Sequence, residues 1–287
     1  MPEVVVVVSS LDPVADAVAK EWGTLPAAEG HVEGGVIRRL NESTVVVRRP
    51  GYHIRDEKVD ERLPAHLRDS RPTLVFPSIH RSGQNVASLT VHPLGNPGPS
   101  AELGGRPRTL APTDPLRMVA ALRLLDEGRH GLEMSATYEA THHGPEVGLP
   151  AFFIEIGSGE DATPDPRAVR LLARVIPEIA ATSGDRVALG VGGGHYAPHF
   201  SDLALRRHWA FGHIISRHAL GEIDRSTALE AFRQSPRAEG VVYSRAQDAA
   251  HPALEGIGPR LRDQDASPRT RERLEAPTGD ARSASGT

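Results

Sequence analysis

The chain alternates short apolar runs with polar, glycine- or proline-marked breaks. The first run is Glu3 to Ser10, with valine at every position from Val4 to Val8. An unbroken β-branched run is the pattern of a strand covered on both faces. Asp12 and Pro13 follow as N-cap and N1 proline of a helix to about Glu21. Strand then capped helix predicts an α/β layer architecture. Thr44–Val47 is a second strand, bounded by Pro50 and Gly51, and Asp56–Leu63 is a polar surface helix stopped by Pro64. Thr73–Phe76 is a third strand, opening into Pro77, Ser78, Ile79, His80, Arg81, Ser82 and Gly83, and then the Leu89–Asn96 stretch. Polar side chains just past the carboxyl end of a buried strand are where open α/β sheets place ligands.

The second half repeats the alternation. Asn96–Pro112 is rich in glycine and proline and reads as an irregular excursion, and Asp114 with Pro115 caps a helix through Leu116, Val119, Ala120, Leu122 and Leu124. Gly131–Ala140 and Ala151–Ile156 are strands. Pro164–Pro166 opens a helix carrying Val169, Leu172, Val175, Ile176 and Ile179, with Pro177 predicting a kink or an early end. Arg186–Val191 is a buried strand, Phe211–Ile215 a weaker element, Ser226 the cap of a helix to about Gln234, and Gly240–Tyr243 a last strand. The expected fold is α/β, a mostly parallel central sheet flanked by helices. The expected domain is 1–257, with room for two lobes. Residues 258–287 hold little beyond Arg, Asp, Glu, Ser, Gly and Pro, too little apolar surface to order themselves, and read as a disordered polar tail.

Between the strands at Gly131–Ala140 and Ala151–Ile156 lie Glu139, His142, His143 and Glu146, broken by Gly144 and Pro145. Within a helix neighbouring side chains point about 100° apart, and within a strand to opposite faces. At a strand-to-loop corner both imidazoles can reach one cleft, so this stretch reads as the floor of a site. Other strand ends deliver His80 and His92, then His195 with His199 behind it. If the sheet is parallel, these histidines face one crevice, where neutral imidazole binds zinc or moves protons. The two-residue gap between His143 and Glu146 also fits one class of His/Glu zinc site, a weak pattern alone. Gly192–Gly194 after a strand is either a phosphate cradle or a tight turn that brings His195 into place, and the absence of a following helical stretch favours the turn. No Gly-x-Ser-x-Gly elbow activates Ser78 or Ser82.

Composition narrows the chemistry. The chain has no cysteine, which excludes disulfides, thiolate metal sites and cysteine catalysis. It carries 14 histidines, 33 basic residues against 37 acidic ones, and a net charge of −4. Only Lys20 and Lys58 are lysines. One basic cluster stands out, Arg38, Arg39, Arg48, Arg49 and Arg55 against Glu42 alone. It reads as a phosphate-holding patch or as arginine pairs on solvated strand ends. No apolar run approaches the roughly 18 residues of a membrane span, and Met1–Val8 lacks a basic leader. The expected location is the cytoplasm.

Five blocks occur in order: Ser78–Ser82 with Leu89–Asn96, Glu139–Pro145, Glu155–Ser158, Gly193–Tyr196, and Gly212–Ile214. Together they resemble the archaeal and plant type of D-aminoacyl-tRNA deacylase over roughly residues 3–245. The resemblance implies hydrolysis of the ester between a D-amino acid and the 3′-terminal adenosine of tRNA. It also implies a fold similar to phosphorylases and peptidyl-tRNA hydrolases, zinc (Zn2+) dependence, and a monomer whose partner is D-aminoacyl-tRNA, with no membrane and no stable protein partner. The chain departs from the family pattern after Ser158, where Gly159–Pro164 replaces a tryptophan-containing continuation, and after Ser82, where the spacing into Gly83 is altered.

On this reading His80, His142, His143, His195 and Glu139 are catalytic. Ser78, Ser82, Thr90, Asn96, Gly193, Gly194, Tyr196, Arg48 and Arg49 bind substrate, and His80, His92, His142, His143 and Glu146 hold metal. Two other readings use the same residues: a zinc-dependent peptidase or amidohydrolase, and a non-catalytic tRNA- or nucleotide-binding protein with structural histidines.

Overall fold

Strand β1 (Val4–Ser9) is buried along its whole length and divides two cores. Val4, Val6 and Val8 face one, Val5 and Val7 the other, the period-two alternation of a strand sandwiched between layers. The protein is seen in a computed structural model that describes residues 1–26, 31–32, 35–81, 86–158 and 163–262. Asp12 ends the loop after β1 and caps α1 (Pro13–Glu21), its Oδ1 accepting from the Val14 and Ala15 N–H groups at 2.9 Å. The chain continues through β2 (His31–Val32), β3 (Gly35–Arg39), β4 (Thr44–Arg49) and the short α2 (Ala65–Asp69) to β5 (Thr73–Arg81) and β6 (Ser88–Pro93).

A small hairpin of β7 (Gly95–Asn96) and β8 (Thr109–Leu110) holds the base of the 96–112 excursion. Then come α3 (Pro115–Gly128), β9 (Ser135–Tyr138), β10 (Ala151–Ser158) and α4 (Pro166–Val175). Helix α4 buries Val169, Leu172 and Val175 while Arg167, Arg170 and Arg174 stay outside, the one-sided pattern that docks a helix on a sheet. It ends early, as Pro177 foretold, passing into a tight turn at Ile176–Glu178.

The main sheet has the order β2-β3-β4-β1-β5-β10-β6-β9. Its centre, β4-β1-β5-β10, is parallel, while β6 runs antiparallel to β10 and the β2–β4 edge is antiparallel. The sheet is therefore mixed around a parallel centre. A second sheet is wholly parallel. It contains β11 (Arg186–Val191), β12 (Trp209–Ile215), β13 (Val241–Tyr243) and β14 (Arg260–Leu261), in the order β12-β11-β13-β14. Helices α5 (Pro198–Arg206), α6 (Arg217–Leu220) and α7 (Arg225–Arg233) complete the chain. Among the described residues no helix is long and apolar enough to cross a membrane.

Several elements differ from expectation. Strand β5 runs on to Arg81, so Ser78 and His80 lie in the strand and not beyond it. Leu89–His92 is a strand, because its cross-strand partners on β10 complete the sheet. Helix α5 was not anticipated. Pro198 opens it at N1 and Phe200, Leu203 and Ala204 bury one face. Trp209–Ile215 is a fully buried strand and not a weak element. The helix expected from Ser226 is capped by Asp224, whose Oδ1 accepts from the Thr227 N–H at 2.8 Å. Past the expected edge at residue 257, β14 pairs with β13, and the rest of the polar tail, 263–287, lies outside the described residues.

Candidate functional site

One face of the main sheet changes character along its length. On β5, Leu74 and Phe76 belong to an apolar core, and two and four residues further on the same face carries Ser78 and His80. On β10, Ala151 and Phe153 give way to Glu155. Glu155 sits in register between Ser78 of β5 and Thr90 of β6, and His92 of β6 lies opposite Phe153. Strand periodicity alone therefore brings Ser78, His80, Thr90, His92 and Glu155 to one polar patch at the carboxyl ends of β5 and β10.

The facing wall is the segment after β9. Its backbone is fastened to both sheets: the Glu139 N–H donates to Val91, that of Ala140 to His195, and that of Thr141 to Ile214. These bonds fix Glu139 and His142 over the patch. Glu139 and Glu155 are buried. His80 Nδ1 lies 3.3 Å from Glu155 and 3.5 Å from Glu139, His92 Nε2 is 3.5 Å from Glu155, and His195 Nε2 is 3.4 Å from Glu139. The His142 ring centroid is 4.4 Å from those of His92 and His143 and 4.5 Å from that of His195.

Backbone carbonyls set the tautomers. Nδ1 of His142, His143 and His92 faces the carbonyl oxygens of Ala140 (2.7 Å), Gly144 (2.7 Å) and Pro93 (3.1 Å). A carbonyl only accepts, so each Nδ1 donates and each neutral ring presents its Nε2 lone pair. Burial, followed by the neighbouring imidazoles His92, His143 and His195, holds His142 well below the usual histidine range. Burial pushes His143 down to about 4. Burial also opposes charge on His80 and His92, but the Glu155 carboxylate outweighs it and raises both. Glu155 in turn lies well below the usual range, the His80 and His92 contacts overcoming its burial.

Among the described residues, three groups have ligand atoms within 4.8 Å of one another: His80, Glu139, His142 and His195; His92, His142 and His143; and His92, Glu139 and Glu155. Both oxygens of Glu139, Oε2 of Glu155 and Nε2 of His92 are buried without a hydrogen-bond partner. Glu139 Oε2, Glu155 Oε2 and His92 Nε2 have ion-pair contacts of 3.3–3.8 Å within the cluster in place of directed hydrogen bonds. A buried polar group left without a directed hydrogen bond costs about 1–3 kcal/mol. His92 Nε2 with one oxygen each of Glu139 and Glu155 could hold a divalent cation. A second nitrogen bonded to a carbonyl, as in His92, His142 and His143, is the outer support that metal-binding histidines use.

A cleft of ≈ 450 Å³ opens on this cluster, lined by Asp12, Ser78, His80, His142, Glu155 and His195 among others. A second of ≈ 410 Å³ reaches His142 and His195 from the side of the 96–105 excursion. The excursion is held against the site by Glu57, whose carboxylate accepts the Gly105 N–H (2.6 Å) and the Glu146 N–H (2.5 Å).

The structure thus brings together His80, His92, His142, His143, His195 and Glu139. Ser78 lines the first cleft and donates to Asp12 at 3.1 Å, and Thr90 is buried opposite Glu155. Asn96 lines the second cleft, with Nδ2 donating to Gly104 (2.8 Å) and Arg106 (3.3 Å). Gly192 and Gly193 take positive φ (+100° and +81°), and the Arg217 N–H donates to the Gly193 carbonyl, so Gly192–Gly194 form the turn before His195. Tyr196 bridges to Glu139 by backbone, its ring edge-on to His80. Ser82 lies outside the described residues.

Three expected residues sit elsewhere. Glu146 turns to Arg106 (2.6 Å), outside every ligand group, because the chain around it is a loop and not a helix that would stack it on His143. Arg48 pairs with Asp16, and Arg49 is buried against Asp56 at 2.7 Å; neither lines the two clefts. Arg49→Ala is therefore expected to cost about 1–3 kcal/mol of stability, read as a lowered urea midpoint, since Arg62 still pairs with Asp56. An unchanged midpoint with a raised KM would restore Arg49 to the substrate surface.

Sequence reasoning gave no site role to Glu57, read Asp12 only as a helix cap, and met Glu155 only within the Glu155–Ser158 block. A lone carboxylate inside the apolar run Ala151–Ile156 was the signal that could have found Glu155, since charges are seldom buried without a partner. His213 belongs to the frame: Nδ1 meets Thr141 Oγ1 and Nε2 meets the Ala111 carbonyl, both at 3.0 Å.

A family model described as D-aminoacyl-tRNA deacylase matches residues 68–257. A D-aminoacyl-tRNA deacylase of Thermoplasma acidophilum is 38% identical over 172 residues, 60% of this chain and 67% of that protein. One of Methanoregula boonei is 46% identical over 189 residues, 64% of this chain and 41% of that protein. The matches thus span about two thirds or less of those relatives. The crystal structure of a conserved protein of unknown function superposes with a TM-score of 0.79 at 26% identity, covering 92% of this chain and 96% of that one. The match over most of the chain shows that it belongs to the D-aminoacyl-tRNA deacylase family.

Proposed function

We propose that this chain hydrolyses the ester joining a D-amino acid to the 3′-terminal adenosine of tRNA, releasing free tRNA for recharging. The observation that carries the reading is the pair of buried carboxylates, Glu139 and Glu155, with unpartnered oxygens among imidazoles that present Nε2 lone pairs, at the foot of two clefts. Family membership supplies the substrate class and its D-configuration. The parallel strands β4-β1-β5-β10 also suit the expected likeness to phosphorylases and peptidyl-tRNA hydrolases.

An aminoacyl ester is already activated, so the protein must position a water, accept its proton and stabilise the oxyanion. His195, with its side chain 42% exposed and Nε2 turned to Glu139, is the imidazole of the cluster that substrate reaches most readily. It takes the proton from the attacking water and returns it to the 3′ oxygen as the carbon–oxygen bond breaks. Glu139 holds His195 in place and balances the charge that develops. The donor set fits a divalent cation such as zinc, held by His92, His142 and His143 with His80, Glu139 and Glu155 in reach. When bound, such an ion polarises the ester carbonyl and makes its bound water acidic, with a pKa of about 7. His80, His142 and His143 thus serve the chemistry through the cluster. Ser78 and Thr90 shape its floor, and Tyr196 its rim. We place the protein in the cytoplasm as a monomer, with the catalytic unit expected at 1–257 extended through β14 and tRNA as its macromolecular partner.

Purified protein should release tyrosine from D-tyrosyl-tRNA and leave free peptides intact. Cleavage of peptides would favour the peptidase reading, and binding of tRNA without turnover the non-catalytic one.

A further inference from the structure

The two clefts meet at the cluster and share Leu103, His142 and His195 in their walls. An aminoacyl ester also has two parts, one on each side of the reacting carbonyl, so a carbonyl placed at His142 and His195 sends one part into each cleft. We propose that the first cleft seats the terminal nucleoside, its base against Tyr52 and Leu103, and that the second seats the aminoacyl group. This assignment rests on the deacylase reading above and names which surface recognises which half of the substrate.

Topology supports the nucleoside side. From β1 the chain builds β4 on one side and then crosses to β5 on the other. That reversal opens a crevice at the carboxyl ends of β1 and β5, the place where open parallel sheets receive nucleotides. The first cleft lies there, with Asp12 from the end of β1 and Ser78 from β5 in its wall. Its rim carries Tyr52 and Leu103, exposed by 54% and 53%, two of five large apolar side chains so exposed among the described residues. Glu102 ties the two rim segments, its carbonyl accepting from Arg55. An exposed aromatic ring beside a polar floor is a platform for base stacking, which tolerates any base but requires one.

Arg81 stands with Asp12 and Glu155 in the first cleft, whereas the second, among the described residues, is lined by carboxylates and no arginine. Glu102 and Glu222 stand in its wall with Ser100 and Thr141. Carboxylates there suit the α-ammonium of an aminoacyl group and repel a nucleotide phosphate. Glycine at position 98 keeps that wall open, since a Cβ there would lie 2.7 Å from Glu222 Oε2.

The test compares three alanyl esters, D-alanyl-tRNA, D-alanyl adenosine and D-alanine methyl ester, on the full chain, with D-tyrosyl adenosine added to probe the second cleft. Tyr52→Ala, a change at an exposed position, is expected to lower kcat/KM for the two adenosine-bearing esters about tenfold or more, the worth of one base stack. It should leave the methyl ester within about twofold. Ser100→Trp, which narrows the second cleft, is expected to slow D-tyrosyl adenosine about tenfold more than D-alanyl adenosine, with the adenosine-to-methyl preference unchanged. Equal loss on all three esters in Tyr52→Ala would overturn the assignment. So would an exchange of effects, Tyr52→Ala altering amino-acid preference and Ser100→Trp the need for adenosine. No turnover of any ester by the unaltered protein would overturn the deacylase reading itself, and this assignment with it.

Discussion

Glu139→Gln is expected to lower kcat/KM for D-aminoacyl-tRNA by about 10²–10⁴-fold, the range for losing a positioned acid–base group, without loss of stability. Glu139 is fully buried and accepts no directed hydrogen bond through either oxygen, its carboxylate contacts being with the imidazoles of the cluster. The neutral amide is nearly the same size and is cheaper to bury, so the urea midpoint should stay level or rise. The catalytic loss has a geometric cause. Glu139 Oε2 is the atom shared by His80, His142 and His195, at 3.5, 3.8 and 3.4 Å. Removing the negative charge withdraws the group that orients His195 and one ligand from two of the three metal-competent sets. Activity within about tenfold of the unaltered protein, or a clear fall in midpoint, would show that Glu139 is a structural residue.

His142→Ala is expected to be as severe, with a second readout. His142 belongs to two of the three ligand groups and lines both clefts. Its removal opens the centre of the cluster, leaving His92 and His143 without the ring packed against both. We expect activity to fall by about 10²–10⁴-fold and zinc retained after dialysis to fall with it. The fold itself gives up chiefly the hydrogen bond from Nδ1 to the Ala140 carbonyl, a cost of about 1 kcal/mol. Full activity would remove His142 from the mechanism. Lost activity with zinc retained would confine it to proton transfer or substrate placement.

Much of this site could be read from residue types because imidazoles were dense at successive strand ends. Strand alternation does the rest: once Thr73–Arg81 is one strand, Ser78 and His80 must share a face with Phe76. What escaped depended on partners distant in sequence. Arg48 and Arg49 read as a phosphate patch when charges were counted locally, and in space they pair with Asp16 and Asp56, away from the two clefts. Glu146 looked like a ligand because a two-residue gap from His143 matches one class of His/Glu zinc site, whereas in space the loop turns it to Arg106. Glu155 was hidden by the apolar residues around it, which read as strand before they read as site. Helix α5 was missed because the stretch after Gly192–Gly194 read as lacking a helix, whereas Pro198 opens one four residues on. The departures from the family pattern near Gly83 and Gly159 fall on 82–85 and 159–162, outside the described residues.

The most direct measurement is a time course of deacylation of D-tyrosyl-tRNA and L-tyrosyl-tRNA by the purified protein. It should be run as prepared, after chelation and dialysis, and after zinc is restored. The account predicts rapid release from the D-ester alone, loss of that activity on chelation, and its return with zinc. Release from neither ester with zinc present would contradict the proposed function. Undiminished release after chelation would leave the function standing and show that the imidazole–carboxylate cluster works by proton transfer alone.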